Sequence, residues 1–401
     1  MGMNDTPAAN RLHIGIFGRR NAGKSSVINA ITGQDFAIVS EQKGTTTDPV
    51  YKTMELLPLG PIMIIDTPGL DDESSLGALR VRKAYQVLNK TDLALLVVDA
   101  TIGMTGEDEA ILERIRAKKI PYVVAWNKMD LAPDAVLPSA DNVIGISSLE
   151  KQNIQELKEL LARQIPDNEN QGRRVIADLL SPEDLVILVT PVDKAAPKGR
   201  LILPVQQTIR DILDVRASTL VVQDSGLENL LARIGCCPRM VVTDSQAFEK
   251  VAAVTPKEIP LTSFSILFAR YKGDLELTVR GVRTLEDLHD GDRILIAEGC
   301  THHRQCNDIG TVKLPNWINQ FCKRKIEYQY SSGTEFPDDL TPYRLIIHCG
   351  GCMLNEREMK YRQQCAQDQG IPITNYGISI AFMHGILKRS LQPFPELYAL
   401  V

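Results

Sequence analysis

The sequence predicts an α/β fold, in which an N-terminal domain with a mostly parallel, doubly wound sheet is followed by two smaller α/β domains. Short apolar runs alternate with helix-like stretches through the first 170 residues, as in strands that are joined by helices. The polar stretch 166–174 has the composition of a linker, and the alternation resumes beyond it. We place the domains at 1–170, 175–262 and 263–401.

The apolar runs give the order of the predicted elements. Predicted strands of the first domain are HIGIF (13–17), IMIID (62–66), LALLVVD (93–99) and YVVAWN (122–127), with a helix at 107–118. The second domain has predicted strands at 186–189, 218–222 and 239–244, and helices at 204–214 and 226–234. The third has predicted strands at 293–299 and 343–348, and helices near 308–324, 355–369 and 377–390.

Composition limits the classes of function. Hydrophobic residues make up 44% of the 401 residues and charged residues 24%, as in soluble globular proteins. The net charge of −5 provides no basic field for nucleic acid or an anionic membrane. No run reaches the roughly 18 apolar residues that span a bilayer, and the N-terminal stretch MGMNDTPAANRLH lacks an apolar signal region. We therefore expect a cytoplasmic protein without a membrane or nucleic-acid partner.

A glycine-rich loop follows the first predicted strand. Residues 18–25 have the sequence Gly-Arg-Arg-Asn-Ala-Gly-Lys-Ser, in which glycines let backbone N–H groups surround phosphates at a helix N-terminus. We expect Lys24 to reach the β- and γ-phosphates and Ser25 to ligate Mg²⁺. The first domain is therefore predicted to be a P-loop domain. Its predicted nucleotide contacts are Gly18, Asn21, Ala22, Gly23, Lys24, Ser25 and Ser26.

Two further segments are predicted to complete the phosphate and magnesium site. Asp66-Thr67-Pro68-Gly69 follows the strand at 62–66, so Asp66 is placed to hold Mg²⁺ through water and the Gly69 N–H to sense the γ-phosphate. In the segment 44–48, a threonine hydroxyl completes the magnesium shell; by resemblance to known P-loop proteins we favour Thr46, with its neighbours Thr45 and Thr47 as alternatives. The predicted catalytic residues are Lys24, Ser25, Thr46 and Asp66.

The base is predicted to be guanine. Asn127-Lys128-Met129-Asp130 ends the strand at 122–127, and the Asp130 carboxylate can accept both the N1–H and the exocyclic amine of guanine. Adenine lacks the second donor and would leave the carboxylate unpaired. Ser147 and Ser148 are expected to support the base through backbone N–H groups. The ligands are therefore GTP and GDP with Mg²⁺, and the first domain is a GTPase domain.

The wording of these motifs resembles the TrmE–Era branch of GTPases. The resemblance rests on G-x-x-N-x-G-K-S at 18–25 and G-T-T-x-D at 44–48. It implies slow GTP hydrolysis that is stimulated by K⁺, with Asn21 as the K⁺ ligand. Leu70 stands where Ras-like GTPases carry the glutamine that orients water, so that position supplies no such side chain.

The cysteines indicate a second site. The chain has eight, none of them before Cys236, and clustered cysteines in a cytosolic chain indicate a metal site or reactive thiols rather than disulfides. Cys300-Thr301-His302 follows one predicted strand, and His348-Cys349-Gly350-Gly351-Cys352 follows another. If these strands are parallel neighbours, their thiolates meet at one edge. The candidate ligands are Cys300, Cys349 and Cys352, with His302, His348 or Glu298 as the fourth.

The residues alone leave the metal open. A closed Cys₃His zinc site and an iron–sulfur cluster with three thiolates and one weaker ligand both fit, and reduced structural or redox-active cysteines are further alternatives. Cys236 and Cys237 are expected to be buried at a helix end. Cys322 and Cys365 lie in helix-like stretches and are expected to pack.

A GTPase domain followed by C-x-H-x₄₅-H-C-x-x-C resembles HydF, the family of [FeFe]-hydrogenase maturation GTPases, over the whole chain. The resemblance implies a homodimer with a middle dimerisation domain and a last domain that binds a [4Fe–4S] cluster. It also implies a scaffold that receives a diiron subcluster precursor through the radical-SAM maturases HydE and HydG and delivers it to the hydrogenase apoprotein. The alternative is a TrmE–Era-like GTPase of RNA modification or ribosome assembly with a structural zinc domain, against which the acidic balance argues.

Overall fold

The computed structural model describes residues 11–33, 49–67, 87–165, 174–190, 201–299, 308–333, 335–351 and 354–401. They fall into two compact units, Met1–Gln171 and Gly172–Val401. The strands of the described residues are β1 Leu12–Phe17, β2 Val50–Leu56, β3 Gly60–Asp66, β4 Leu93–Asp99, β5 Tyr122–Asn127, β6 Val143–Gly145, β7 Leu185–Val189, β8 Ser218–Val222, β9 Met240–Thr243, β10 Leu261–Ser263, β11 Arg293–Ala297, β12 Glu327–Ser331, β13 Leu345–His348 and β14 Ile373–Asn375.

The α-helices of the described residues connect these strands. They are α1 Lys24–Thr32, α2 Gly106–Ala117, α3 Ile154–Arg163, α4 Leu203–Asp214, α5 Leu227–Arg233, α6 Phe248–Val254, α7 Phe264–Lys272, α8 Leu275–Val282, α9 Leu314–Cys322, α10 Glu356–Asp368, α11 Tyr376–Met383 and α12 Leu387–Ser390. Short 3₁₀ turns lie at 177–179, 224–226, 283–287 and 395–400, and a π turn lies at 309–313.

The first unit is a six-stranded sheet in the order β2-β3-β1-β4-β5-β6. Every neighbouring pair is parallel except β2–β3. One hydrophobic core joins Ile16 with Val27 of α1 and Leu157 of α3, and a second joins Leu96 with Ile111 of α2. Since both faces are covered, the whole of β4 is buried and its sequence is a continuous apolar run. The predicted doubly wound sheet is confirmed.

The second unit contains two four-stranded parallel sheets, in the orders β10-β9-β7-β8 and β12-β11-β13-β14. A single hydrophobic core joins Leu188 of the first sheet with Ile296 of the second through side chains of α7 such as Ile266. The two smaller α/β parts therefore share buried side chains within one compact unit. The predicted boundary at 262–263 falls inside β10, just before α7 begins, and it remains a prediction.

Candidate nucleotide and metal sites

The strands that carry the nucleotide motifs end at one edge of the first sheet. β1 lies between β3 and β4, so the glycine-rich loop leaves the sheet where β3 ends at Asp66, which is in register with Ile16. Likewise Asp99 at the end of β4 is in register with Asn127 at the end of β5. Ligands of open α/β sheets bind at this carboxyl edge, and the structure brings three predicted motifs together there.

The glycine-rich loop has a backbone that only glycines adopt readily. Gly18 and Gly23 have φ values of +136° and +89°, and a Cβ on them would lie 2.2 Å from the Val97 carbonyl oxygen and 2.3 Å from Asn127 Nδ2. Lys24 is 8% exposed, and its Nζ donates to the carbonyl oxygens of Gly18 and Arg19, both at 2.8 Å. The lysine amino group is thus hydrogen-bonded to the backbone of the loop that is predicted to hold phosphates.

Ser25 and Asp66 lie together where magnesium is predicted. Ser25 Oγ donates to Asp66 Oδ2 at 3.4 Å, and Asp66 Oδ1 is buried without a hydrogen-bond partner among the described residues. Burial raises the pKa of Asp66, although Lys24 and Ser25 oppose the rise. A buried carboxylate oxygen is costly unless a cation or bound water pairs with it. These residues therefore fit Mg²⁺.

Asn127 connects the glycine-rich loop to the predicted base-binding segment. Its side chain is buried; Nδ2 donates to the Ala22 carbonyl oxygen at 3.0 Å, and Oδ1 accepts the Ser148 N–H at 3.0 Å. Ser147 is buried beside it and its Oγ accepts the Glu150 N–H at 3.1 Å. One amide thus holds the phosphate loop and the loop after β6 in a fixed relation.

Asp99 is a site residue that the sequence analysis missed. Lys128 adopts a φ of +69°, and its Nζ lies 2.6 Å from Asp99 Oδ2. Burial alone would raise the pKa of Asp99, but hydrogen bonds from Lys128 and Thr101 outweigh it and hold the pKa below its ordinary value. The charged pair fixes the segment that leads to Asp130. The sequence feature that could have identified Asp99 is its position at the end of the predicted strand 93–99.

Several predicted nucleotide-site residues lie outside the described residues or on the protein surface. Thr45, Thr46, Gly69 and Leu70 lie outside the described residues. Asn21 is exposed, with a φ of +62°, and Ser26 is exposed on α1. The roles assigned to these positions remain predictions.

The cysteine hypothesis required β11 and β13 to be parallel neighbours, and they are, with Ala297 beside His348. The Cys349 N–H donates to the Ala297 carbonyl oxygen at 2.8 Å. Cys349 Sγ accepts N–H groups from Gly299 at 3.0 Å and Gly351 at 3.4 Å. Donors of this kind stabilise a metal-bound thiolate, so the backbone around Cys349 fits a cluster or a metal.

Three other candidate metal ligands, Cys300, His302 and Cys352, lie outside the described parts of the chain. Within the described parts, no three His, Cys, Asp or Glu side chains converge to hold a metal.

His348 has both ring nitrogens engaged by the protein. Nδ1 lies 2.7 Å from the Cys349 carbonyl oxygen, and Nε2 lies 3.0 Å from Arg362 Nη1. Burial, with the charge of Arg362, lowers the pKa of His348 to about 3, so the imidazole is neutral, with Nδ1–H donating and Nε2 accepting. Binding a metal would break one of these bonds, which disfavours His348 among the three predicted fourth ligands.

Glu298, another predicted fourth ligand, lies at the end of β11. One of its carboxylate oxygens, Oε1, accepts the Tyr376 hydroxyl at 3.1 Å. Burial, reinforced by Glu298, raises the pKa of Tyr376, so the hydroxyl remains a donor. A Cβ on Gly310 would lie 2.3 Å from the Tyr376 hydroxyl oxygen, so this position packs closely on the pair.

Arg362 and Glu358 form a buried ion pair behind His348. Their side chains are 0% and 5% exposed, with Arg362 Nη2 2.9 Å from Glu358 Oε1; the same Nη2 also donates to the Gly333 carbonyl oxygen at 2.7 Å. Removing one partner of a buried pair costs about 3–5 kcal/mol, because the other charge stays buried and unpaired.

We therefore expect Arg362→Met to lower the free energy of unfolding of the second unit by about 3–5 kcal/mol. Urea denaturation followed by circular dichroism measures it. Arg280→Met is the matched control, because Arg280 and Glu276 form an exposed ion pair on α8, which contributes at most about 1 kcal/mol. Equal midpoints for the two variants would contradict the structural role of the buried pair.

The expectation that Cys236 and Cys237 are buried is wrong. Both are exposed; they follow the end of α5 at Arg233 and Gly235, which has a φ of +69°. Among the described cysteines, Cys322 ends α9 and Cys365 lies on α10; both are partly buried against core side chains, as expected. No helix of the described residues is long and apolar enough to cross a membrane.

Family models match three consecutive parts of the chain. Residues 13–128 match the model described as 50S ribosome-binding GTPase. Residues 175–273 match the Hydrogen maturase F dimerization domain, and residues 276–393 match the Hydrogen maturase F tetramerization domain. The last two models together span more than half of the chain.

Curated relatives match part of the chain. The tRNA modification GTPase MnmE of Chromobacterium violaceum is 39% identical over 125 residues, 31% of this chain and 27% of that protein. MnmE of Picosynechococcus sp. is 30% identical over 204 residues, 49% of this chain and 42% of that protein. The chain thus spans less than half the length of these relatives.

Among solved structures, an Aquifex aeolicus Era variant bound to GDP and AlF₄⁻ is 21% identical and covers 60% of this chain and 97% of that one. Its TM-score is 0.35, and at that value the likeness carries no conclusion about this chain.

Proposed function

We propose that this chain, which belongs to the HydF-type hydrogenase maturation GTPases, carries a [4Fe–4S] cluster on Cys300, Cys349 and Cys352. On this cluster it holds a diiron subcluster precursor for delivery to the [FeFe]-hydrogenase apoprotein. The observation that supports the proposal is the pair of N–H groups, from Gly299 and Gly351, that donate to Cys349 Sγ where β11 and β13 end together. The partners we propose are the radical-SAM maturases HydE and HydG and that apoprotein.

GTP hydrolysis in the first unit transfers the γ-phosphoryl group to water. Lys24 and the loop N–H groups stabilise charge on the phosphates, while Ser25 and Asp66 would hold Mg²⁺, which supplies further neutralisation of that charge when bound. Asp130 would select guanine. Thr46 is proposed to complete the magnesium shell, and the Gly69 N–H to sense the γ-phosphate. Positioning and electrostatics, rather than a general base, then account for the reaction.

The second unit would hold the cluster through three thiolates and a fourth, weaker ligand. Because both nitrogens of His348 are hydrogen-bonded, we propose Glu298 or His302 for that position. The cluster, when bound, supplies an iron with a replaceable ligand at which the diiron cargo can attach. The residues His348, Arg362 and Glu358 keep the Cys349 backbone in place.

Transfer of the cargo tests the scaffold function directly. The purified protein is loaded by the two maturases, separated from them, and mixed with hydrogenase apoprotein; we expect hydrogen evolution to appear. The same protocol with Cys349→Ala should give none, whereas Cys237→Ala, an exposed cysteine distant in sequence, should match the wild type. Activity from the Cys349→Ala protein would overturn the proposal. Stoichiometric zinc with salt-sensitive RNA binding would instead favour the GTPase of RNA modification.

The GTPase is proposed to be slow and stimulated by K⁺ through Asn21, which the structure leaves exposed at the phosphate loop. We expect hydrolysis to be faster in KCl than in NaCl of equal concentration by about tenfold, the factor that about 1.4 kcal/mol of transition-state stabilisation gives. Asn21→Ala should bring the ratio of the rate in KCl to the rate in NaCl to about one. Equal wild-type rates in the two salts would rule out this ion site.

Two family models that describe oligomerisation domains match the chain after the GTPase domain. The matching models describe a dimerization and a tetramerization domain, so this chain forms oligomers through its second unit. The predicted homodimer is one of the assemblies that these descriptions name, and we propose it as the unit from which the tetramer is built. Cytoplasmic localisation remains a prediction from the sequence.

A further inference from the structure

The amino group of Lys272 lies beneath the loop that follows Cys349. Lys272 is the last residue of α7 and is 2% exposed. Its Nζ donates to the carbonyl oxygens of Gly351 at 3.0 Å and Leu354 at 2.9 Å. Lysine is rarely buried to this extent, because its charge is costly to remove from water unless acceptors surround it. Packing alone would be served by an apolar side chain of the same length.

Both the N–H and the carbonyl oxygen of Gly351 are hydrogen-bonded. Its N–H donates to Cys349 Sγ at 3.4 Å, while its carbonyl oxygen accepts Lys272 Nζ and the Leu354 N–H at 3.1 Å. Gly351 has a φ of +61°, a conformation that glycine adopts at little cost. Lys272 therefore holds Gly351 in the orientation in which its N–H faces the sulfur.

An aromatic ring and buried backbone groups also lie near Lys272. The Phe268 ring lies on the preceding turn of α7, with Nζ 6.0 Å from its centroid. Gly351 and Leu354 are buried, so water does not replace Lys272 as a donor to their carbonyl groups without a change in the loop. A side chain from a helix far back in the sequence thus contributes two hydrogen bonds to the position of the loop backbone.

We propose that Lys272 is a positioning residue of the iron–sulfur site, which fixes the Gly351 N–H against the Cys349 sulfur and so raises the reduction potential of the cluster. The inference rests on the proposed function, in which Cys349 is a cluster ligand. Hydrogen bonds to the sulfurs and the local charge set the potential of such clusters. A fixed N–H donor and a nearby ammonium group both favour the reduced form, which is the more negative one.

Lys272→Met tests this inference, because methionine keeps the length of the side chain and removes its donors and charge. In a redox titration followed by EPR, we expect the ratio of reduced to oxidised cluster at a fixed potential to be tenfold lower than in the wild type. For a one-electron couple this corresponds to a reduction potential that is lower by about 59 mV. The EPR line shape should change as well. Lys360→Met is the matched control, because Lys360 is exposed on α10 and pairs with Glu356; its potential should equal that of the wild type.

Iron and sulfide analysis separates failure of this inference from failure of the proposed function. If the wild type itself binds no cluster after anaerobic reconstitution, the proposed function fails. If the wild type and a folded Lys272→Met protein have the same potential and line shape, the role of Lys272 is overturned. Loss of the cluster from folded Lys272→Met, with retention in Lys360→Met, would support positioning. If Lys272→Met does not fold, Lys272→Gln replaces it, because glutamine is polar but removes the charge and is too short to reach both carbonyl oxygens; an unchanged potential there overturns the inference.

Discussion

Asp130→Asn is expected to change the nucleotide preference from GTP to XTP. The Asp130 carboxylate would accept two N–H groups of guanine, and hydrogen bonds to a charged group contribute about 1.5–3 kcal/mol each. Their loss should weaken GTP binding by about 10²–10⁴-fold. Xanthine carries a carbonyl oxygen where guanine has its amine, so the asparagine amide donates to it and accepts N1–H. Binding of fluorescent GTP and XTP analogues measures both affinities.

Asp134→Asn is the control for this exchange. Asp134 lies in the same segment and is exposed, so the same loss of charge there should leave both affinities near those of the wild type. Equal weakening of GTP and XTP by Asp130→Asn would show that Asp130 supports the loop rather than recognising the base. The Lys128–Asp99 pair at 2.6 Å already holds that segment, so we expect no such loss.

Lys24→Ala should nearly abolish GTP hydrolysis. Lys24 Nζ lies in the phosphate loop, 2.8 Å from two of its carbonyl oxygens, where it can stabilise charge on the transferred group. Removing a single preorganised donor of this kind costs on the order of 10²–10³-fold in rate. Single-turnover hydrolysis of saturating GTP measures the effect on the chemical step.

Arg163→Ala, on the exposed side of α3, is the control, and circular dichroism melting curves verify that both proteins fold. A Lys24→Ala rate within a few-fold of the wild type would contradict the assignment of the phosphate loop. Because Lys24 also bonds the loop backbone, a lower melting temperature of the first unit is expected in the same experiment.

Local sequence patterns predicted the strand ends at which the nucleotide motifs lie. The phosphate loop, Asp66 and the Asn127 segment each follow a strand within a few residues, and parallel strands bring their carboxyl ends to one edge of the sheet. The same reasoning placed Cys349 next to the end of β11. The order of strands and motifs along the chain was therefore enough to predict which residues lie at this edge of each sheet.

Long-range packing could not be predicted in the same way. Lys272 meets Gly351 only because α7 packs under the loop after β13, and Arg362 meets His348 only because α10 covers that strand. Neither contact has a sequence signature, since a lysine or arginine on a helix is usually exposed. Short strands such as β10 and β14, with three residues each, likewise depend on neighbouring strands rather than on their own pattern.

We predict that this GTPase holds a [4Fe–4S] cluster on the cysteines that follow β11 and β13. Anaerobic iron and sulfide analysis with EPR of the reduced protein tests it most directly, on the wild type, Cys349→Ala and the control Cys237→Ala. We predict about four irons and four sulfides per chain in the wild type and the control, the stoichiometry of a single [4Fe–4S] cluster, and loss of the reduced-cluster signal in Cys349→Ala. About one zinc and no iron in the reconstituted wild type, the content of a closed structural site, would contradict it.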